Sequence, residues 1–512
     1  MADGKISKLA KLVLGGALAG GLFFGYNLLE KGYIKPNNDI SNFSLQYQDK
    51  TKQIAKIKNL EDIKKKDDLK LKDNNYEVKS NLNKKTIVHK IIQIQNGASP
   101  NFLVLGSLTT AKVDSAIKRI EDFIPKKPVS EITKREAGDL FLKIDSVTEN
   151  LIFKGTAQCY QTTLIYHAIG EIYDLPIKMV VAPPFTNEEY HSFARWDPDG
   201  KHDASNQDNP INQGDFNWDN ESKDFIKYGF QQNGFPQNVD DEYFIREFYV
   251  PKKTLEERIY LKNMNEKEML AFFGYWIKSE IYLAKMGQAG NEFVTRPEKL
   301  TEKEENKYLE RYYKKIDESY MSALKSINTA LKLDPSRVPS LFTKARMLGQ
   351  YANNKIICDY KEARNSIDKA IGLNSEQPEL WCLKGVIYRN SADFDGSFSK
   401  EEQDSLFKEA IKSSNISLGL IKKRKEIEFQ KKDNPGGINY NKLYYLAKDE
   451  QNYLFSKEML YFSLKKKCDN KEDSLKYAAE ENKINQEYNE LSKEIEIYKK
   501  KAHQRIEKIN NN

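Results

Sequence analysis

Cysteine is scarce in this chain: Cys159, Cys358, Cys382 and Cys468 are the only four in 512 residues. None forms a C-x-x-C pair, and the five histidines (His89, His167, His191, His202, His503) lack zinc-finger spacing, so no structural metal is expected. An even cysteine count in so long a chain says little about disulfides, and the redox compartment stays open. A dominant charge is also lacking. The 82 basic and 75 acidic residues leave a net charge of +7, and no dense Lys/Arg patch carries interleaved aromatics. A nucleic-acid partner is therefore not expected. No cofactor is expected either.

Long hydrophobic runs are equally few. LVLGGALAGGLFFGYNLL, residues 12–29, is uncharged throughout. Its length at ~1.5 Å per residue approaches the hydrocarbon thickness of a bilayer, and Leu9 and Ala10 extend it past a Lys11 able to snorkel. We read residues 1–8 as a short tail and 9–29 as an uncleaved single-pass anchor, although Ala17-Leu18-Ala19 has the look of a cleavage site. Lys5, Lys8 and Lys11 before the span favour a cytoplasmic N-terminus and an extracytoplasmic bulk. Gly16, Gly20, Gly21 and Gly25 give small-xxx-small spacings for helix approach in lipid. Residues 30–82, rich in Lys, Asp and Asn, read as a charged tether.

Apolar periodicity returns from residue 83. TIVHKIIQIQ and AKVDSAIKRIEDFI have helical spacing. Between 155 and 226 the pattern changes. A helical run over 160–173 meets DLPIKMVVAPP, EYHSFARWDPDGK and GDFNWDN, short β-branched and aromatic stretches punctuated by Pro, Gly and Asp. One helix followed by antiparallel strands predicts an α+β domain over 83–250.

Helical pattern dominates again from 251 to 435, and it repeats. YMSALKSINTALKLDP starts at Tyr320 and YKEARNSIDKAIGLN at Tyr360, and Ala330, Ala370 and Ala410 fall 40 residues apart. PELWCLKGVIYRN places Trp381, Gly385 and Tyr388 at the spacing of tetratricopeptide repeats, with Lys384 where leucine is usual. The period exceeds the standard length of about 34, so longer loops such as YANNKIICDY are expected. A helical solenoid that binds a protein partner follows. In the tail, 436–512, Ile484, Tyr488, Leu491, Ile495, Tyr498 and Ala502 form a heptad-like seam, open to pairing with another chain or to capping the solenoid. Leu475 precedes the seam.

GTAQCYQTTLIYHAIG raises the functional question, because Cys159 falls at the first turn of the expected helix. A helix N-terminus stabilises a thiolate, the reactive form of cysteine. A histidine must then come from elsewhere to share the proton. His191, opening the strand-like HSFARW, is the candidate. His167 lies on the same helix and points elsewhere, and His202 falls in a turn and is expected to be exposed. In GDFNWDN, alternation puts Phe216 and Trp218 on one face, Asn217 and Asp219 on the other. Asp219 would orient the imidazole, with Asp203 as the alternative third member. Backbone N–H groups at the helix start would serve as oxyanion donors, with Gln158 a weak addition.

These blocks, GTAQCYQTTLIYHAIGEIYDLPIKMVVAPP, HSFARWDPDGK and FNWDN, resemble the three motifs of the transglutaminase-like superfamily, which shares the papain-like cysteine fold. More narrowly they resemble a bacterial branch that continues into tetratricopeptide repeats, and RIYLKNMNEKEMLAFFGYWIKSEIYLAKMG fits that continuation. The resemblance covers roughly 140–390. It implies Cys159 as nucleophile, His191 as base and Asp219 in the acidic position. The Asn-, Asp- and Gln-rich HDASNQDNPINQGD is an insertion relative to the pattern. Two readings follow. One is a membrane-anchored cysteine enzyme acting on amide bonds of a protein or peptide substrate, by hydrolysis or acyl transfer. The other is a catalytically inactive domain of the same fold serving as a protein-interaction scaffold.

Overall fold

Spacings of three and four between apolar residues become helices from the start of the folded part. The computed structural model describes residues 85–98, 108–151, 159–184, 190–202, 216–218, 238–239, 241–294, 301–350, 359–431, 438–468 and 470–510. The expected anchor (9–29), the tether (30–82) and the repeat loop (351–358) lie outside them. Helices α1 (Ile87–Asn96), α2 (Thr110–Ile120) and α3 (Lys134–Leu151) precede α4 (Cys159–Tyr173). Their apolar positions are shut from water: Val88, Ile91, Val113, Ala116, Phe141 and Ile144 are all buried. The amino end of α1 is tied to α4 where the Ile87 amide donates to Glu171 at 2.9 Å.

Four strands follow: β1 (Ile177–Ala182), β2 (His191–Trp196), β3 (Phe216–Trp218) and β4 (Asn238–Val239). They form one sheet in the order β1-β2-β3-β4, each neighbouring pair antiparallel. The register sets Ile177 opposite Trp196 and Ala182 opposite His191. The outer edge of β1 is covered, since the Leu261 amide donates to Val181 and the Met264 amide to Met179.

Both faces are covered at β2, all six of whose residues are buried, the polar His191, Ser192 and Arg195 included. Helix α4 packs on one face. The Thr163 hydroxyl donates to the Ser192 carbonyl at 3.2 Å, and Gly170 sits so close to Ile177 that an added Cβ would meet it at 3.0 Å. Phe141 of α3 stacks edge-on against Trp196 on this face, at 6.2 Å between centroids. The other face is covered by α5 (Asp241–Glu247), α6 (Lys252–Glu256) and their loops, with Val180, Ala182, Phe193, Phe244, Phe248, Val250 and Leu255 in one apolar cluster.

A short helix, α7 (Glu266–Met269), widens into a π-helical turn over Leu270–Trp276 and continues as α8 (Ile277–Val294). Seven further helices complete the described chain: α9 (Glu302–Leu333), α10 (Val338–Gln350), α11 (Tyr360–Leu373), α12 (Pro378–Phe394), α13 (Lys400–Gln430), α14 (Tyr440–Lys467) and α15 (Lys471–Asn510). The described residues are thus mostly helical, with one small antiparallel sheet.

The internal repeat is visible in the backbone. Helices α9 and α11 end 40 residues apart on Asp334 (φ −139°, ψ 91°) and Asn374 (φ −144°, ψ 83°), nearly the same conformation. Ala323 and Ala363, Ile327 and Ile367, and Ala330, Ala370 and Ala410 are all fully buried. Small side chains at these positions let successive helices approach closely. The departure at Lys384 also has a physical account. Its ammonium bridges Asp368 and Glu409, each at 3.0 Å, and lies over the rings of Trp381 and Tyr388. An ion bridge between α11 and α13 replaces the apolar contact that leucine would make.

The tail seam is used inside the chain. Ile484, Leu491, Ile495, Tyr498 and Ala502 are buried in a cluster that also holds Phe407, Leu443, Leu446 and Leu454. Leu475, four residues into α15, stays 62% exposed and takes no part. The long hairpin α14–α15 therefore closes the array with one apolar core running from α12 onward, across residue 435.

Close packing sets a contrast between two glycines. A Cβ on Gly385 would lie 2.8 Å from Ser414 Oγ and 3.2 Å from the Ala410 carbonyl, whereas Gly419 in exposed α13 surface has nothing within 4 Å. Gly385→Ala is expected to destabilise by about 1–3 kcal/mol through overpacking. Gly419→Ala is expected to stabilise by up to about 1 kcal/mol through helix propensity. Urea-unfolding midpoints of the two variants check this, and shifts of the same sign would contradict it.

Candidate functional site

Chain direction brings the two principal candidates to one end of the sheet. Helix α4 runs from Cys159 to Tyr173 and turns tightly into β1 through Asp174, at φ 52°, with the Leu175 amide donating back to Gly170. β1 ends at Ala182, opposite His191 at the start of β2. The amino-terminal half of α4 therefore packs on the start of β2, where Thr163 bonds the Ser192 carbonyl. Cys159 opens the helix as expected, while its side chain lies outside the described residues.

The neighbours of both candidates rest on one element, the π-helical turn. Tyr160 stacks on Phe273 at 6.2 Å, and Tyr190 packs edge-on to Phe272 at 5.7 Å and to Trp276 at 5.5 Å. Phe272 in turn is 4.8 Å from Phe273 and 4.7 Å from Trp276. Single π-helical turns inserted in α-helices recur at functional sites. Nothing in the apolar run LAFFGYW distinguishes it in sequence from an ordinary buried helix.

The imidazole of His191 belongs to the sheet face away from α4. His191 alternates with Phe193 and Arg195 on that face, while Ser192, Ala194 and Trp196 point toward α4. The ring lies nearly parallel to Phe248, 15° between planes at 5.2 Å, with Phe244 at 6.0 Å and Phe193 at 6.2 Å. Only 4% of the residue is exposed.

Beyond it on the same face lies a buried polar clasp. The fully buried Arg195 guanidinium donates to Asn217 Oδ1 at 2.6 Å, to Asp241 Oδ1 at 2.7 Å and to the Leu261 carbonyl at 3.0 Å. Asn217 adds a bond of its own to Asp241 at 2.8 Å. His202 Nε2 meets the other Asp241 oxygen at 2.6 Å. Its side chain is only 5% exposed, which corrects the expectation of an exposed turn histidine. The carboxylate partner compensates for removing the ring from water. Burial works against the Asp241 charge, but Arg195 and His202 outweigh it and hold the carboxyl at about 2.

The remaining candidates are placed as follows. His167 points its Nδ1 at the Ile177 carbonyl, 3.2 Å away, and burial lowers its pKa to about 4. It therefore anchors α4 to β1. Trp218, on the α4 side as the alternation predicts, donates to Asp145 Oδ2 at 2.9 Å, and Tyr166 donates to the same carboxylate. Gln158, Asp203 and Asp219 lie outside the described residues. Cys382 sits in the array beside Ser456, and burial pushes its thiol up to about 12, so it is chemically quiet. Among the described residues no cluster of His, Cys, Asp or Glu could hold a metal ion, and no helix is long and apolar enough to cross a membrane. Asp145, Asp241 and the aromatic turn are absent from the sequence-derived candidates, since each joins the site only through long-range packing.

No family model, no curated protein and no solved structure matches this chain.

The clasp has a measurable pH signature. Asp241 falls from its ordinary 3.8 to about 2 on folding, so the stability it contributes is present above about pH 4 and lost as pH drops through about 2, on the order of 2 kcal/mol. Asp241→Asn should flatten stability against pH in that window. Asp241→Ala, which strands a buried guanidinium, should cost about 3–5 kcal/mol near neutrality. Denaturant unfolding followed from pH 2 to 7 checks both.

Proposed function

We propose that residues 83–250 form a papain-like domain of transglutaminase type that performs thiol-based acyl transfer on amide bonds of a protein or peptide. The observation carrying this reading is the meeting of the α4 N-terminus with the start of β2 on a single aromatic turn. In the reaction, the Cys159 thiolate attacks the amide carbonyl and a C–S bond forms. The His191 imidazolium gives its proton to the leaving amine as the C–N bond breaks, leaving a thioester. Water or a second amine then attacks, His191 takes the incoming proton, and the thiolate departs. Asp219 steadies the ring, while amides at the start of α4, with Gln158, stabilise the oxyanion. The array over 251–435 serves as a tetratricopeptide-like platform for a protein partner. The segment 9–29 anchors the chain in a membrane, with the bulk extracytoplasmic.

A second reading is favoured by the aromatic stacking of His191 on the face away from α4. In it, the domain keeps the fold without the chemistry and acts with the array as an interaction scaffold.

Alkylation of Cys159 separates the two. Full-length protein is treated with iodoacetamide over pH 5–9, and the Cys159 peptide is quantified by mass spectrometry. The enzymatic reading predicts appreciable labelling below pH 7 and a loss of about tenfold or more in His191→Ala, the scale of an imidazole's effect on a paired thiol. Equal rates in wild type and His191→Ala would leave only the scaffold.

A further inference from the structure

Tyr249 has a left-handed backbone, φ 51°, a conformation that glycine or asparagine occupies at lower cost than tyrosine. Such a residue persists only where its surroundings over-determine it, and here the helical array does so. The Tyr249 hydroxyl donates to Glu428 Oε1 at 2.8 Å. Two cations lie over the ring, Arg424 at 4.9 Å and Lys442 Nζ at 4.3 Å from its centroid. Those groups are themselves held. Glu428 and Lys442 are 0% and 1% exposed and 3.0 Å apart. Lys431 pairs with both Glu428 and Glu247, and Lys442 also donates to the Glu247 carbonyl at 2.6 Å. The two carboxylates, Glu247 and Glu428, thus face three cations, Lys431, Lys442 and Arg424, and every member is buried or nearly so.

Phe248, the residue before Tyr249, is the ring lying flush on His191 at 5.2 Å. Phe248 and Tyr249 share one tight turn, in which the Phe248 amide donates to Phe244 and the Val250 amide to Ile245. A change at the Tyr249 socket therefore reaches the imidazole through a single peptide unit. We infer that Tyr249 is a positioning residue for His191, through which helices α13 and α14 of the array fix the Phe248 ring against the imidazole. Its meaning for catalysis rests on the reading of His191 as the base. The positioning itself is independent of that reading.

The test uses the full-length chain and follows the His191 ring protons by NMR, assigned by their loss in His191→Ala. Tyr249→Phe removes the bond to Glu428, and Tyr249→Asn removes the ring while favouring the same backbone. Lys253→Ala is the control. It breaks another tie to the array, Lys253 Nζ to the Gly372 carbonyl at 2.7 Å, without touching Phe248. Protons over an aromatic face resonate upfield. Both Tyr249 variants should therefore move the His191 signals downfield, Asn further than Phe, while Lys253→Ala leaves them in place. Unmoved His191 signals in a folded Tyr249→Asn protein, or an equal shift in Lys253→Ala, would overturn the assignment. If Tyr249→Asn does not fold, Tyr249→Phe is read against the same control and decides in the same way. Cys159 alkylation measured on these variants keeps the questions apart. Moved NMR signals with unchanged alkylation would refute the enzymatic reading and leave the positioning intact.

Discussion

A guanidinium sealed from water must find partners, and around Arg195 that requirement organises the sheet. Its donors reach β3 through Asn217, α5 through Asp241 and the loop covering the β1 edge through the Leu261 carbonyl. Removing a cation from water costs several kcal/mol, repaid only when every donor is met in good geometry. Strand register, the placement of α5 and the path of the 259–264 loop are therefore linked, since moving any of them strands the charge. His202 closes the arrangement from the far end of β2 and brings its own segment under the same constraint.

With the sheet fixed, two aromatic groups define its other end. The Leu270–Trp276 turn gathers Tyr160 and Tyr190, which flank Cys159 and His191. Phe244 and Phe248 pack on the imidazole from the opposite face. Both groups lie where the α+β part meets the helices. The turn runs directly into α8, and the Phe248 segment is tied to α13 and α14 through Tyr249 and Glu247. The array is thus a wall of the candidate site.

Local signals are legible in the sequence because local physics sets them. The helix opened by Cys159 and the strand opened by His191 follow from hydrophobic period and turn residues. The 40-residue repeat follows from Ala330, Ala370 and Ala410 recurring at helix contacts. The opposed faces of Asn217 and Trp218 follow from strand alternation. What sequence leaves hidden is set by long-range pairing. His202 reads as an exposed turn residue until Asp241, 39 positions away, supplies its partner. Asp145 looks like one more polar residue in α3 until Trp218 and Tyr166 converge on it. The tail seam is compatible with another chain until α14 takes it up, and the side of the sheet on which the His191 ring lies depends on α5, which the motif does not contain.

The central claim is that a thiol at the mouth of α4 and the imidazole at the start of β2 act as a pair. The most direct measurement is the crystallographic separation of Cys159 Sγ from the nearer His191 ring nitrogen, with a peptide amide bound. The account predicts hydrogen-bond reach, within about 4 Å. A sulfur more than about 6 Å from either ring nitrogen would contradict it.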